Sequence, residues 1–262
     1  MGVFRRAGLV LMVVSLWVGG DARADTIRVA GTGSGLALVR ALVDLYHASH
    51  PEADVWIPPS VGSSGAVKGL AMGKLDVGIL LRPLKDGEVE GATSTEICRT
   101  PLVFFTNAER PDVTLGRKDL APLFGGTLRA FGRGEVRPLL RDASDTGFIL
   151  LVKQFPDLAT VIEQARGIRG ANLELSDQDA MDAAERSRSL VGFGTLAPLL
   201  AEHRRLIVVP FAEGGLPNVP VVLALAPNPP QSARAFVDFA GSAAAAALLK
   251  ANGCTPARGD GQ

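Results

Sequence analysis

Between residues 26 and 81 the chain alternates two periods. "TIRVAG" (26–31) is a short β-rich run, and "LALVRALVDLYHASHP" follows it with Leu38, Leu42 and Leu45 at helical spacing. "DVWIPP" is again strand-like, "GAVKGLAMGK" is helical, and "LDVGILL" (75–81) has the pattern of a buried strand. A β-α-β-α-β succession leaves few options. Strands joined through helices run parallel, the crossovers are right-handed, and the helices cover the sheet. The expected class is therefore α/β.

The rest of the chain continues the theme. "TPLVFFTN" (100–107) reads as a strand and "RKDLAPLFGG" as a short helix. "VRPLLRDASDTGFILLVKQF" reads as strand, turn and helix. "LELSDQDAMDAAERS" is an amphipathic helix with Ser176 and Asp179 placed as a variant capping box. "SLVGFGTLAPLLAEH" gives a strand and a helix, and "LIVVPF" and "VPVVLALAP" (219–227) give two strands. "SARAFVDFAGSAAAAALLKANG" is a helix pair, or one helix broken near Gly241, that ends at Gly253. Three strands, a crossing, a second α/β block and a returning strand predict two lobes. Lobe one takes residues 25–103 and 212–262, lobe two takes 104–211, and the two crossing segments form a hinge over a ligand cleft.

The first 24 residues are set apart by composition. Arg5 and Arg6 precede an apolar run from Ala7 to Val18, and Ala22-Arg23-Ala24 follows. This is the layout of an export signal cleaved after Ala24, and the apolar run is too short for a stable membrane span. The expected location is the periplasm. Cleavage removes three of the 27 basic residues (Arg5, Arg6, Arg23) and one of the 27 acidic ones (Asp21), so the mature chain is slightly acidic. That balance gives no support for binding nucleic acid or an anionic membrane. Export would place Cys98 and Cys254 in an oxidising compartment. A bridge between them and a pair of buried thiols are both compatible with the sequence.

Three small-polar turns each follow a strand and precede a helix: "GTGSG" (31–35), "GSSG" (62–65) and "ASDTG" (143–147). A helix start leaves amides without partners, and its dipole favours an anion. All three turns lie at carboxyl ends of strands, where open α/β sheets hold ligands. One such turn is an ordinary cap. Three of them together suggest a shared anion.

Other chemistries lack their residues. "GTGSG" is followed by Leu36 where a dinucleotide loop needs glycine, and there is no phosphate loop ending in Gly-Lys-Ser/Thr. No Gly-x-Ser-x-Gly elbow is present. His47 and His50 flank a helix end beside Glu52 and Asp54, a solvated arrangement, and His203 has no local partner motif. No enzyme, metal site or cofactor is expected. Outside the leader only Trp56 and Tyr46 offer the aromatic rings that sugars stack on, and both are expected to pack in the core.

In order and spacing these pieces resemble the phosphate-type periplasmic substrate-binding proteins of ABC transporters. The likeness rests on "GTGSG", "VGSSGAVKGLAMGKLDVGILLRPL", "DLAPLFGGTL", "RDASDTGF", "SDQDAMDAAERSRSLVGFGTLA" and "VPVVLALAP…FVDFAGS…LLKANGCTPA". It implies two α/β lobes closing on an oxyanion, a monomer, and delivery to a membrane permease. It also implies ligand contacts from Thr32, Gly33 and Ser34, from Ser63, Ser64 and Gly65, and from Ser144, Asp145 and Thr146. Arg141 is the nearest basic match, with Arg137 as the fallback. Two departures bear on the ligand. Leu81 stands where the family has a proton-accepting aspartate, and Asp145 replaces the glycine of a Ser-Gly-Thr turn. Phosphate is the first expectation. Sulfate, molybdate, tungstate, or a fold turned to sensing or protein contact are the alternatives. Asp145 either supplies the lost acceptor or caps its helix facing solvent.

Overall fold

The computed structural model describes residues 26–107, 114–128, 130–131 and 134–257, so the expected export signal lies outside the described residues. The strand β1 (Ile27–Gly31) leads into α1 (Gly33–His47), β2 (Val55–Trp56) into α2 (Gly62–Ala71), and β3 (Val77–Leu80) into the long β4 (Thr93–Asn107). Then come α3 (Arg117–Phe124), β5 (Ala130–Phe131), β6 (Gly134–Glu135), β7 (Arg137–Pro138), β8 (Leu140–Arg141), α4 (Thr146–Gln154) and α5 (Leu158–Arg166). The chain continues through β9 (Leu173–Glu174), α6 (Asp177–Arg186), β10 (Leu190–Thr195), α7 (Leu196–Ala201), β11 (Leu206–Val209) and β12 (Asn218–Leu225). It ends in α8 (Gln231–Ala240), α9 (Ala243–Ala251) and β13 (Thr255–Pro256).

The main sheet runs β2-β1-β3-β12-β4-β10-β7, with β11 and β13 also paired to β4. The strands β1, β2 and β3 are parallel, as their helical connections require. β4 joins the two halves. Its residues 93–101 pair antiparallel with β12, and its residues 102–106 pair antiparallel with β10. β1 and β3 approach closely at Gly31, where an added Cβ would sit 2.2 Å from the Ile79 carbonyl oxygen. Glycine is required there, and the first ligand turn leaves the sheet at that point.

Both faces of the first half are sealed by the predicted helices. Leu38 and Leu42 of α1 pack with Phe236 of α8 over Val29, Val77 and Leu223. Ala66, Val67 and Leu70 of α2 cover Leu80, Val222 and Ala224 on the other face. In the second half Met181 and Ala184 of α6 pack on Phe105 and Leu139. Burial of each of the larger side chains among these contributes roughly 1.5–3 kcal/mol.

Several details differ from the sequence expectation. β4 begins seven residues before Thr100, because "TSTEICR" is polar on its exposed face and gains its partner only from distant β12. The helix α5 was not anticipated, although Leu158, Ile162 and Ala165 are buried at helical spacing. Trp56 is not a core residue. It lies half exposed on the edge strand β2, whereas Tyr46 is buried against Phe236 and Phe239 as expected. The break between α8 and α9 falls at Gly241–Ser242, and Ser242 caps α9 through Ala245.

Candidate functional site: a cavity at converging helix starts

The three small-polar turns meet. A cavity of about 670 Å³ is lined by Thr32 and Gly33, by Ser63 and Ser64, and by Ser144, Asp145 and Thr146, with Arg141 at its base. These residues come from the starts of α1, α2 and α4 and from β8, so the strand-to-helix connections of both halves face one space. Gly65 and Ser34 do not line it. Gly65 lies one step further along α2, where an added Cβ would press on Val61. Ser34 is buried and gives its hydroxyl hydrogen to Asp177.

The helix starts differ in how their amides are used. α1 and α2 have no side-chain cap and no acidic residue in the first turn. In α2, Val61 N donates to Gly31 O and Gly62 N to Ser60 Oγ, which leaves the Ser63 and Ser64 amides among the four a helix start cannot pair internally. At α1 the same holds for Gly33 and Ser34, since Thr32 N already donates to Ile79 O. In contrast, α4 and α6 cap themselves. Asp145 accepts from Phe148 N, and Ser176 accepts from Asp179 N. The starts of α1 and α2 therefore face the cavity with no side-chain acceptor of their own in place.

Hydroxyls divide in the same way. Ser63 Oγ accepts from Leu81 N at 3.3 Å and keeps its hydrogen to give. Ser144 donates to Asp142 at 2.6 Å, so its hydrogen is engaged. Together with the Ser144 amide this holds the Asp142 carboxyl below the usual range. Leu81 itself is buried, and no acceptor occupies its position.

Arg141 is 3% exposed. Its Nη2 lies 2.8 Å from Asp145 and 3.1 Å from Asp177, and its Nε and Nη1 are buried without a partner. Burial works to lower the guanidinium pKa, but the Asp177 and Asp145 charges outweigh it and hold the pKa above its ordinary value. Asp177 shows the opposite balance. Its burial pushes its pKa up to about 6, against the lowering pull of Arg141. Arg166 fixes the strand beneath, donating to Arg141 O at 2.7 Å while lying over the Phe148 ring. Arg137, the fallback cation, points away and contacts Glu135 and Ser189.

Asp145 is turned inward: it caps α4 and pairs with Arg141. The start of α6 was missed as part of the site. Leu175, Ser176, Asp177, Gln178 and Asp179 all line the cavity, and Gln178 Nε2 donates to Gly33 O at 2.8 Å. The capping box revealed this helix start, but only the fold brings it against α1. The cavity thus carries two cations, Arg40 and Arg141, against four carboxylates, Asp142, Asp145, Asp177 and Asp179. Among the described residues no group of histidine, cysteine and carboxylate side chains is arranged to hold a metal ion.

Comparison with known proteins agrees with this architecture. The family profile described as PBP superfamily domain matches residues 18–192. Among solved structures, one similar protein is a putative phosphate ABC transporter substrate-binding protein from Clostridium perfringens with bound phosphate. It has a TM-score of 0.74 and 13% identity, over 89% of this chain and 100% of that one. An ABC-type phosphate transport receptor from Vibrio cholerae gives a TM-score of 0.55 and 17% identity over 87% and 98% of the two chains. The regulatory domain of Synechocystis CcmR in complex with 2-PG gives a TM-score of 0.58 and 12% identity over 82% and 95%. These likenesses establish the two-lobed fold. No curated protein sequence matches the chain. The profile spans about two thirds of the sequence, and the chain belongs to the PBP superfamily.

Proposed function

We propose that this protein is an exported, monomeric solute-binding protein that captures a small oxyanion in the periplasm, phosphate first, and hands it to an ABC permease. The observation that carries this reading is the meeting of two uncapped helix starts with a buried arginine in one cavity. The Gly33, Ser63 and Ser64 amides and the Thr32, Ser63, Ser64 and Thr146 hydroxyls supply up to seven donors. A hydrogen bond to a charged group contributes roughly 1.5–3 kcal/mol. Micromolar affinity requires about 8 kcal/mol net, which that donor set reaches after the cost of association.

The carboxylates favour an oxyanion that keeps a proton. A fully ionised sulfate beside Asp145 meets only repulsion, whereas a protonated phosphate gives Asp145 a hydrogen to accept. Asp145 thereby takes the role that Leu81 cannot fill. Calorimetry of the mature chain with phosphate, sulfate, molybdate and tungstate tests this. Phosphate binding at micromolar concentration is expected, and silence for all four at millimolar concentration overturns the reading. Asp145→Asn should weaken phosphate and improve sulfate.

A second reading has one observation in its favour. Asp145 and Asp177 already neutralise Arg141, as expected in a binding-protein fold that has given up its anion for sensing or protein contact. It predicts no shift in melting temperature with any of the four anions.

A further inference from the structure

Cys98 and Cys254 are 156 residues apart in sequence and adjacent in space. Cys98 lies on β4, the strand shared by both halves of the sheet. Cys254 follows Gly253, whose φ of 73° turns the chain out of α9 and into β13. In the β13–β4 ladder Thr255 opposes Arg99 and Pro256 opposes Cys98. Cys254 therefore lies two positions along from Cys98's partner. Side chains two apart share a sheet face, and such diagonal neighbours are within reach across an antiparallel pair. Both thiols are buried, with their sulfurs 2.6 Å apart. Even the smaller carbon atoms rest in contact at about 3.5–4.0 Å.

We infer that Cys98 and Cys254 form a disulfide in the exported protein, fastening the C-terminal strand and α9 to the crossing strand β4. Each thiol loses one proton and one electron as the Sγ–Sγ bond forms. The two electrons and two protons pass to the disulfide of a thiol oxidant of the exported compartment, or to oxidised glutathione in vitro, which becomes two thiols. The bond forms during folding, before the site closes. In the closed state the neighbouring Cys254 sulfur and burial raise the Cys98 thiol pKa far above its usual range, so little thiolate is present to attack an oxidant. The finished bond is a structural fastener.

The fastener also bears on the site. α9 and β13 pack on α1 and β4, and α1 begins at Gly33 in the ligand cavity.

The test uses the mature chain, denatured, reduced and refolded in a glutathione buffer with the oxidised form in excess. Unfolding in acid, alkylation and peptide mass spectrometry then count the free thiols. The expected result is no alkylated cysteine and a linked peptide pair containing Cys98 and Cys254. Two alkylated thiols, or glutathione on either cysteine as the main product, overturn the inference. A second measurement needs no substitution. The oxidised protein should melt about 5–15 °C above the same protein after reduction with dithiothreitol, and equal melting temperatures also overturn it. Cys98→Ala with Cys254→Ala should melt with the reduced protein and lose all sensitivity to dithiothreitol.

Discussion

Replacing Arg141 with methionine tests the buried charges at the base of the cavity. The guanidinium is 3% exposed and faces Asp177, whose side chain is 6% exposed, and Asp145, whose side chain is 18% exposed. Methionine keeps most of the volume but leaves Asp177 with only the Ser34 hydroxyl. Breaking a buried pair in this way costs about 3–5 kcal/mol. Asp177 can limit that loss by taking a proton. Its folded pKa is already about 6, and without Arg141 it moves higher. A carboxyl whose folded pKa exceeds its unfolded value of ~3.9 holds a proton that unfolding releases. Stability then falls as pH rises, by up to ~1.4 kcal/mol per pH unit, until the folded pKa is passed. For the wild type that loss ends near pH 6. For Arg141→Met it continues, so the gap between the two should widen by about 1–3 kcal/mol from pH 6 to pH 8. Urea unfolding at pH 5, 6, 7 and 8 in phosphate-free buffer, followed by circular dichroism, measures this gap. Adding Asp177→Asn removes the stranded charge, so the double variant should recover at least half the loss at pH 8 and show a gap that no longer widens. The same gap at pH 5 and pH 8, or a double variant weaker than Arg141→Met at pH 8, would refute the account.

Three further outcomes are expected. Ser63→Ala combined with Ser64→Ala should weaken phosphate binding ten-fold or more, about 1.4 kcal/mol, and the Leu81 amide that loses its Ser63 acceptor should cost about 1–3 kcal/mol of stability; calorimetry on the folded protein and a thermal melt separate the two effects. Gly31→Ala would place a Cβ against backbone, 2.2 Å from Ile79 O. It should cost about 3 kcal/mol or more in urea unfolding, whereas Gly73→Ala, with open space around it but a φ of 65°, should cost only about 1 kcal/mol. Glu88, held at about 2 chiefly by its hydrogen bonds from Arg82, contributes stability that is complete above its unfolded pKa of ~4.3 and fades as pH falls toward 2. Arg82→Ala should flatten that acid slope by about 1–2 kcal/mol, less than the full shift because the pair is partly exposed to water.

Much of this protein follows from local sequence. The parallel start of the sheet, the helices α1, α2, α6, α8 and α9, and the three turns at strand ends are all written in spacing and in glycine and serine placement. Interactions within a few residues determine those features. Thr32, Gly33, Ser63, Ser64, Ser144, Asp145 and Thr146 were each visible in that way, Arg141 was named only through the family resemblance, and the cavity brings them together. Packing decided the rest. Ser34 sits in a ligand-like turn, yet its hydroxyl goes to Asp177, 143 residues away. Asp145 could be placed at a helix start from sequence, but its pairing with Arg141 depends on the course of β8 beneath α4. Asp177 and Gln178 carried only the signature of an ordinary cap until α6 came to rest against α1. Cys98 and Cys254 had no stated distance until β13 paired with β4. Periodicity and capping act over one or two turns of chain and can be read directly. Which charges and thiols meet depends on how layers stack across the sheet, and only the folded chain fixes that.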